Sequence, residues 1–117
     1  MQTLQQMVEQ LYDKVLSECL ERYERNEPVD KKDMDVFKKI KEETSPNFSL
    51  IEEWEKETNA HVHKLSVFPN QIQNTRDNME LLLLHSYYID VKRKRFMELY
   101  HSVDFVLKQI RQDISGT

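Results

Sequence analysis

The chain has 117 residues, 17 Lys and Arg against 21 Asp and Glu, one Cys and one Gly. That length predicts one domain, residues 1–117, with room for a core that needs no covalent staples. A net charge of -4 argues against bulk nucleic-acid binding, which needs a basic domain. The lone Gly116 leaves no glycine-rich phosphate loop, nucleophile elbow or glycine hairpin turn, and a lone Cys19 forms no internal disulfide.

Apolar residues recur from Leu4 through Met7, Val8, Leu11, Val15, Cys19 and Tyr23 at helical spacing. This is the stripe of an amphipathic helix over residues 3–24. Thr3 is its expected N-cap, and Asn26 and Pro28 are its stop signals. Residues 27–48 read as a charged connector, in which Asp30 is expected to cap a short helix carrying Met34, Phe37 and Ile40. Pro46 in "SPNFS" is expected to break the chain by pushing Ser45 out of the α region.

Ser49 and Glu52 have capping-box spacing, so a second long helix is expected from there, with Ile51, Trp54, Thr58, His61, Val62 and Leu65 inward. "SVFPN" ends it. Asn70 and Gln73 form another capping box, with Phe68 as its staple. Residues 72–114 then contain no Pro or Gly. A single helix of about 43 residues would be roughly 65 Å long, too long for a small domain to bury. A turn near residues 89–95 is therefore predicted, with Asp90 as the cap of the last helix. The fold class is all-α: a four-helix up-and-down antiparallel bundle with one short extra helix in the first long connector.

"YYIDVKRKRF" reads as the corner between the last two helices, its cations Lys92, Arg93, Lys94 and Arg95 favouring the negative end of the preceding helix dipole. The same run has the composition of a weak nucleic-acid patch. From Gln71-Ile72 through Asp77-Asn78, Glu80-Leu81, Ser86-Tyr87 and Lys94-Arg95-Phe96 to Ser102-Val103, the chain resembles the YppE-like family. These are small helical proteins of Gram-positive bacteria with low genomic GC content. The match is best over residues 70–114. The resemblance implies a four-helix bundle of bacterial cytosolic origin and brings no activity and no catalytic residue with it.

Candidates for chemistry are few. Glu98 and His101 have the Glu-x-x-His spacing of di-iron bundles, but such sites need two of these units and two further Glu residues. His61 falls on an inward stripe, where a buried neutral imidazole would weaken the fold as pH falls. Cys19 lies on an inward stripe as a small core residue rather than a nucleophile. A metal-binding bundle using His61, His85 or His101 is the alternative of a different class. No catalytic residue, cofactor or small-molecule substrate is expected, and no run suits a membrane span.

The strongest anomaly is a second apolar stripe. With Met79, Leu82, Leu83 and Ser86 inward, Leu81, Leu84, Tyr88 and Val91 face the other way, and Phe105 is off-phase on the last helix. Either the connector covers this stripe or it meets another protein or a second copy. The reading is a non-enzymatic cytoplasmic protein acting by protein contact, with Leu81, Leu84, Tyr88, Val91, Phe105 and Lys92–Arg95 as the candidate surface.

Overall fold

In the computed structural model, which describes residues 3–115, helix α1 (Leu4–Leu11) passes through a π-helical turn (Tyr12–Ser17) into α2 (Glu18–Arg25), making one rod. Three long helices follow: α3 (Met34–Ala60), α4 (Pro69–Tyr88) and α5 (Arg93–Ser115). Successive helices alternate in direction. Glu55 of α3 meets Arg76 of α4 while Glu43 meets Tyr87, and the α4–α5 hairpin turns at residues 89–92. The longest dimension is 48 Å, which leaves no room for an unbroken rod over residues 72–114.

Local chemistry sets the ends of the first rod. Thr3 Oγ1 accepts from the Gln6 amide at 3.1 Å, and Gln6 Oε1 accepts from the Thr3 amide at 2.9 Å, a reciprocal cap. Asn26 stops α2 in the left-handed conformation, φ 51°, which Asn tolerates better than most residues. Arg22 and Arg25 lie in the last turn, favourably placed on the dipole.

The π turn has a sequence cause. Leu11, Val15, Cys19 and Tyr23 are spaced by four, and all are buried. In an α-helix each step of four overshoots a full turn by about 40°, so three steps would carry Tyr23 off the core face. A wider turn with i→i+5 bonding rotates less per residue and holds all four in phase.

The connector departs from expectation. The separate short helix and the helix expected to open at Ser49 are the two halves of α3, which runs through Pro46. Asp33, not Asp30, caps it, through the amides of Asp35 at 2.9 Å and Val36 at 3.3 Å. Ser49 is exposed in mid-helix. An interior proline costs about 3 kcal/mol or more, but Pro46 and Glu42, whose carbonyl loses its partner, are both exposed, so water can solvate that carbonyl. Burial of Ile40 and Thr44 before the proline, and of Ile51, Trp54 and Thr58 after it, outweighs the local preference. Likewise α4 begins ahead of the expected Asn70 box. Pro69 is its first residue, and the Phe68 amide donates to Gln71 Oε1 at 2.8 Å.

Between α3 and α4, Ser66 ties the loop to the end of α5. Its amide donates to Asp113 Oδ2 at 2.8 Å, its hydroxyl donates to the same carboxylate, and Gln109 Nε2 donates to the hydroxyl. Burial would push the Asp113 carboxyl up, but the Ser66 amide, the Ser66 hydroxyl and Gln109 together hold it below its ordinary value. A depressed carboxyl stabilises the fold above its unfolded value, near pH 3.8, and loses that contribution as pH falls through the lower native value. In thermal melts below about pH 4, Asp113→Asn should therefore show a shallower fall of Tm than the parent.

Candidate functional site

Helix α4 is the centre of the bundle, and nearly every side of it is occupied. Ile72, Thr75, Met79, Leu82, Leu83 and Ser86 are buried inward. Arg76, Glu80 and Tyr87 face α3, where Arg76 pairs with Glu55 at 3.0 Å and the Tyr87 hydroxyl donates to Glu43 at 3.1 Å. Asn78 faces α5, reaching Ser102 at 3.5 Å. What remains is an outward seam, Asn70, Asn74, Asp77, Leu81, Leu84 and Tyr88, spaced alternately by four and three. That spacing keeps one line along a helix.

The apolar half of the seam is open. Leu81 and Leu84 are 36% and 38% exposed, and Tyr88 is half-buried. The connector does not seal it. It joins α3 on the Glu43–Tyr87 side, burying Ile40 and Thr44, and leaves Met34 and Phe37 exposed. Val91 does not belong to the seam: α4 ends at Tyr88, and the Val91 carbonyl in the corner accepts from the Tyr23 hydroxyl. Phe105, 67% exposed, stands apart on α5, lining a shallow groove with Gln71, Asn74 and Ser102.

The corner differs from expectation in its electrostatics. Ile89 takes φ 51° at the end of α4, costly for a β-branched side chain, and is held by packing against the core. Because α5 starts at Arg93, three of the four cations lie in its first turn, at the positive end of a helix dipole rather than the negative end of α4. Arg93 pairs with Glu24 at 2.9 Å and Arg95 with Glu98 at 3.6 Å. Lys92 and Lys94 are exposed and make no ion pair among the described residues. Asp90 does not cap α5; its carboxylate lies 2.6 Å from His85 Nδ1. Burial alone would raise the Asp90 carboxyl, but the hydrogen bond and charge of His85 bring it below its ordinary value.

A polar network joining α2 to α4 and α3 escaped the sequence reading. The Arg22 guanidinium donates to Ser86 Oγ at 2.8 Å and lies 3.9 Å above the Tyr87 ring. Ser86, almost fully buried, donates onward to the Leu83 carbonyl at 2.7 Å. Cys19 sits 4.0 Å from the same guanidinium. Burial pushes its thiol up to about 11, with Ser86 and Arg22 offsetting only part of that, so it stays protonated and unreactive. The available signal was Ser86, one of two hydroxyls, with Thr75, on an otherwise apolar inward face.

The histidines do not converge. His61 is not a core residue: it ends α3, half-exposed, with Nδ1 3.0 Å from the Glu57 carbonyl oxygen, so the premise of its acid effect fails. Thr58, one turn earlier, takes the last inward place, and the chain then leaves the α conformation. His85 lies at the far end of α4, about 24 Å away by helical rise. His101 is exposed and edge-on to Tyr100. Among the described residues no three His, Cys, Asp or Glu side chains are grouped to hold a metal ion. No helix among them is long and apolar enough to cross a membrane.

Comparison with known proteins fits this helical architecture. Residues 4–114 match the family model described as a bacterial domain of unknown function, DUF1798. The chain belongs to that family. A crystal structure of the protein yppE from Bacillus subtilis superimposes with a TM-score of 0.83 at 27% identity, over 98% of this chain and 97% of that one. No curated protein matches. The family match and the likeness to the yppE structure together bear out the YppE-like resemblance and the all-α class, and membership of DUF1798 assigns no activity.

Proposed function

We propose that this DUF1798 protein is a non-enzymatic cytoplasmic protein that works by contact with another protein through the outer seam of α4. One observation carries the reading. Leu81, Leu84 and Tyr88 form a partly exposed apolar spot on the side of α4 away from its buried face, and clustered exposed apolar residues mark contact surfaces.

A photo-cross-linking amino acid at position 84 is the direct test, with the same residue at the exposed Glu52 of α3 as control. Adducts formed in cells at position 84 but not at 52, and lost when Leu81 and Tyr88 are both changed to Asp, are expected. No adduct at 84, or equal adducts at both positions, would overturn the reading.

A further inference from the structure

We propose that the end of the bundle where α2 hands over to α3, and α4 to α5, docks on an anionic phospholipid surface. Met34 and Phe37 enter the bilayer there, and the surrounding lysines rest on the headgroups. This contact is separate from the seam on α4.

Topology gathers both links at one pole. The Tyr23 hydroxyl donates to the Val91 carbonyl, and Glu24 pairs with Arg93. On the Asp90 carboxyl burial acts upward, His85 acts downward, and the charge of Lys31 acts downward as well, so Lys31 lies beside the α4–α5 corner. Tyr23 and Ser86 are the last buried residues of α2 and α4 before this pole, and Ile40 and Phe96 are the first of α3 and α5 after it. Between them, residues 24–39 and 87–95 hold nine Lys and Arg against six Asp and Glu, whereas the rest of the chain holds eight against fifteen. An acidic chain thus carries one basic end, and its own field turns that end toward an anionic surface.

Most carboxylates at the pole are already engaged. Asp30 and Asp33 accept from the amides of Lys32 and Asp35, Glu24 holds Arg93, and Asp90 holds His85. Glu27 and Asp35 remain. Lys31, Lys32, Lys38, Lys92 and Lys94 are exposed and make no ion pair among the described residues.

The apolar side chains decide which anionic partner fits. Met34 and Phe37, at the start of α3, are 65% and 47% exposed. Met34, Phe37, Lys38 and Lys41 stand at i, i+3, i+4 and i+7, all exposed, which is one face of a helix. Apolar residues flanked by lysines on such a face suit the boundary between headgroups and acyl chains, where the apolar part is buried and the ammonium groups stay at the phosphates. A nucleic-acid backbone has no apolar layer to receive Met34. The two arginines of the corner, Arg93 and Arg95, which could grip phosphates bidentately, are held by Glu24 and Glu98.

Vesicle flotation at low salt tests this, with phosphatidylglycerol–phosphatidylcholine vesicles against phosphatidylcholine alone. The parent protein should float with the anionic vesicles only, and added salt should release it. Lys31→Gln, Lys32→Gln and Lys38→Gln should each lower the partition coefficient about fivefold. Met34→Ser with Phe37→Ser should lower it at least about tenfold, with helical circular dichroism and Tm retained because both side chains are exposed. Phe105→Ser removes an equally accessible ring from the middle of α5 and should change nothing. Phe37→Trp reports insertion directly: its emission should shift to the blue on binding and be quenched by brominated acyl chains. A parent that stays off anionic vesicles, or floats equally with neutral ones, overturns the lipid surface as partner. Undiminished flotation of the Met34–Phe37 double variant, with no quenching at position 37, overturns insertion. Binding of single-stranded DNA or polyglutamate in place of vesicles, lost with the same three lysines, would overturn the lipid surface in favour of an anionic macromolecule.

Discussion

Replacing Trp54 with alanine is expected to remove about 3–5 kcal/mol of stability, the usual cost of deleting a large buried aromatic. That is a large share of the roughly 5–15 kcal/mol that holds a typical domain folded. Trp54 is completely buried between α3 and the rest of the core. Its indole Nε1 is buried with no hydrogen-bond partner among the described residues. A buried donor without a partner costs about 1–3 kcal/mol in desolvation. Trp54→Phe sheds that cost while keeping most of the ring, so it should lose far less than the alanine variant. Urea denaturation of both variants, compared at unchanged m-value, checks this. Equal losses for Phe and Ala would show that the indole N–H is satisfied in solution.

Arg22→Ala should cost about 2–3 kcal/mol. The guanidinium supplies a charge-assisted hydrogen bond to Ser86 and a cation–π contact with Tyr87; such bonds contribute about 1.5–3 kcal/mol and such contacts about 0.5–2 kcal/mol. Its loss also opens the cover over Cys19, whose sulfur lies 4.0 Å away. Thiol labelling of the native protein should therefore accelerate in Arg22→Ala, in step with the loss of stability in denaturant. Arg22→Lys keeps the charge but not the planar stacking, and should fall between the two.

The parts of this fold legible in the sequence are those where one strong periodic signal acts alone. The stripe from Leu4 to Tyr23, the inward set of α4 and the outward Leu81 and Leu84 follow from spacing and need no knowledge of neighbours. Pro46 shows the limit of local rules. The proline and the Ser49–Glu52 box both signal a boundary, yet burial of side chains on both sides of the proline carries α3 straight through. His61 fails for the opposite reason: the inward phase was extrapolated one turn beyond the end of α3. The corner was placed to within a few residues. Its electrostatics differ because the turn, predicted near residues 89–95, falls at 89–92, which puts Arg93, Lys94 and Arg95 in the first turn of α5 rather than at the end of α4. The Arg22–Ser86–Tyr87 network joins residues 64 apart in sequence, and no local pattern foretells such a pairing. Within the candidate surface, Leu81, Leu84 and Tyr88 share one phase of α4. Val91 was misplaced because the helix that would have put it on the seam stops first.

The π turn at Tyr12–Ser17 makes the first rod tolerant of a change in its own length. Six residues in a wide turn advance the chain through nearly the same angle as five in an α turn. One residue too many has been absorbed there without rotating Cys19 and Tyr23 away from the core. Asp13 and Lys14 are exposed, so the surplus sits where nothing packs against it. Residues 12–17 are thus a joint at which one residue can be lost, the turn reverting to α geometry, with both halves of the rod still facing the same way, whereas the same change in the middle of α4 would turn its buried face toward water.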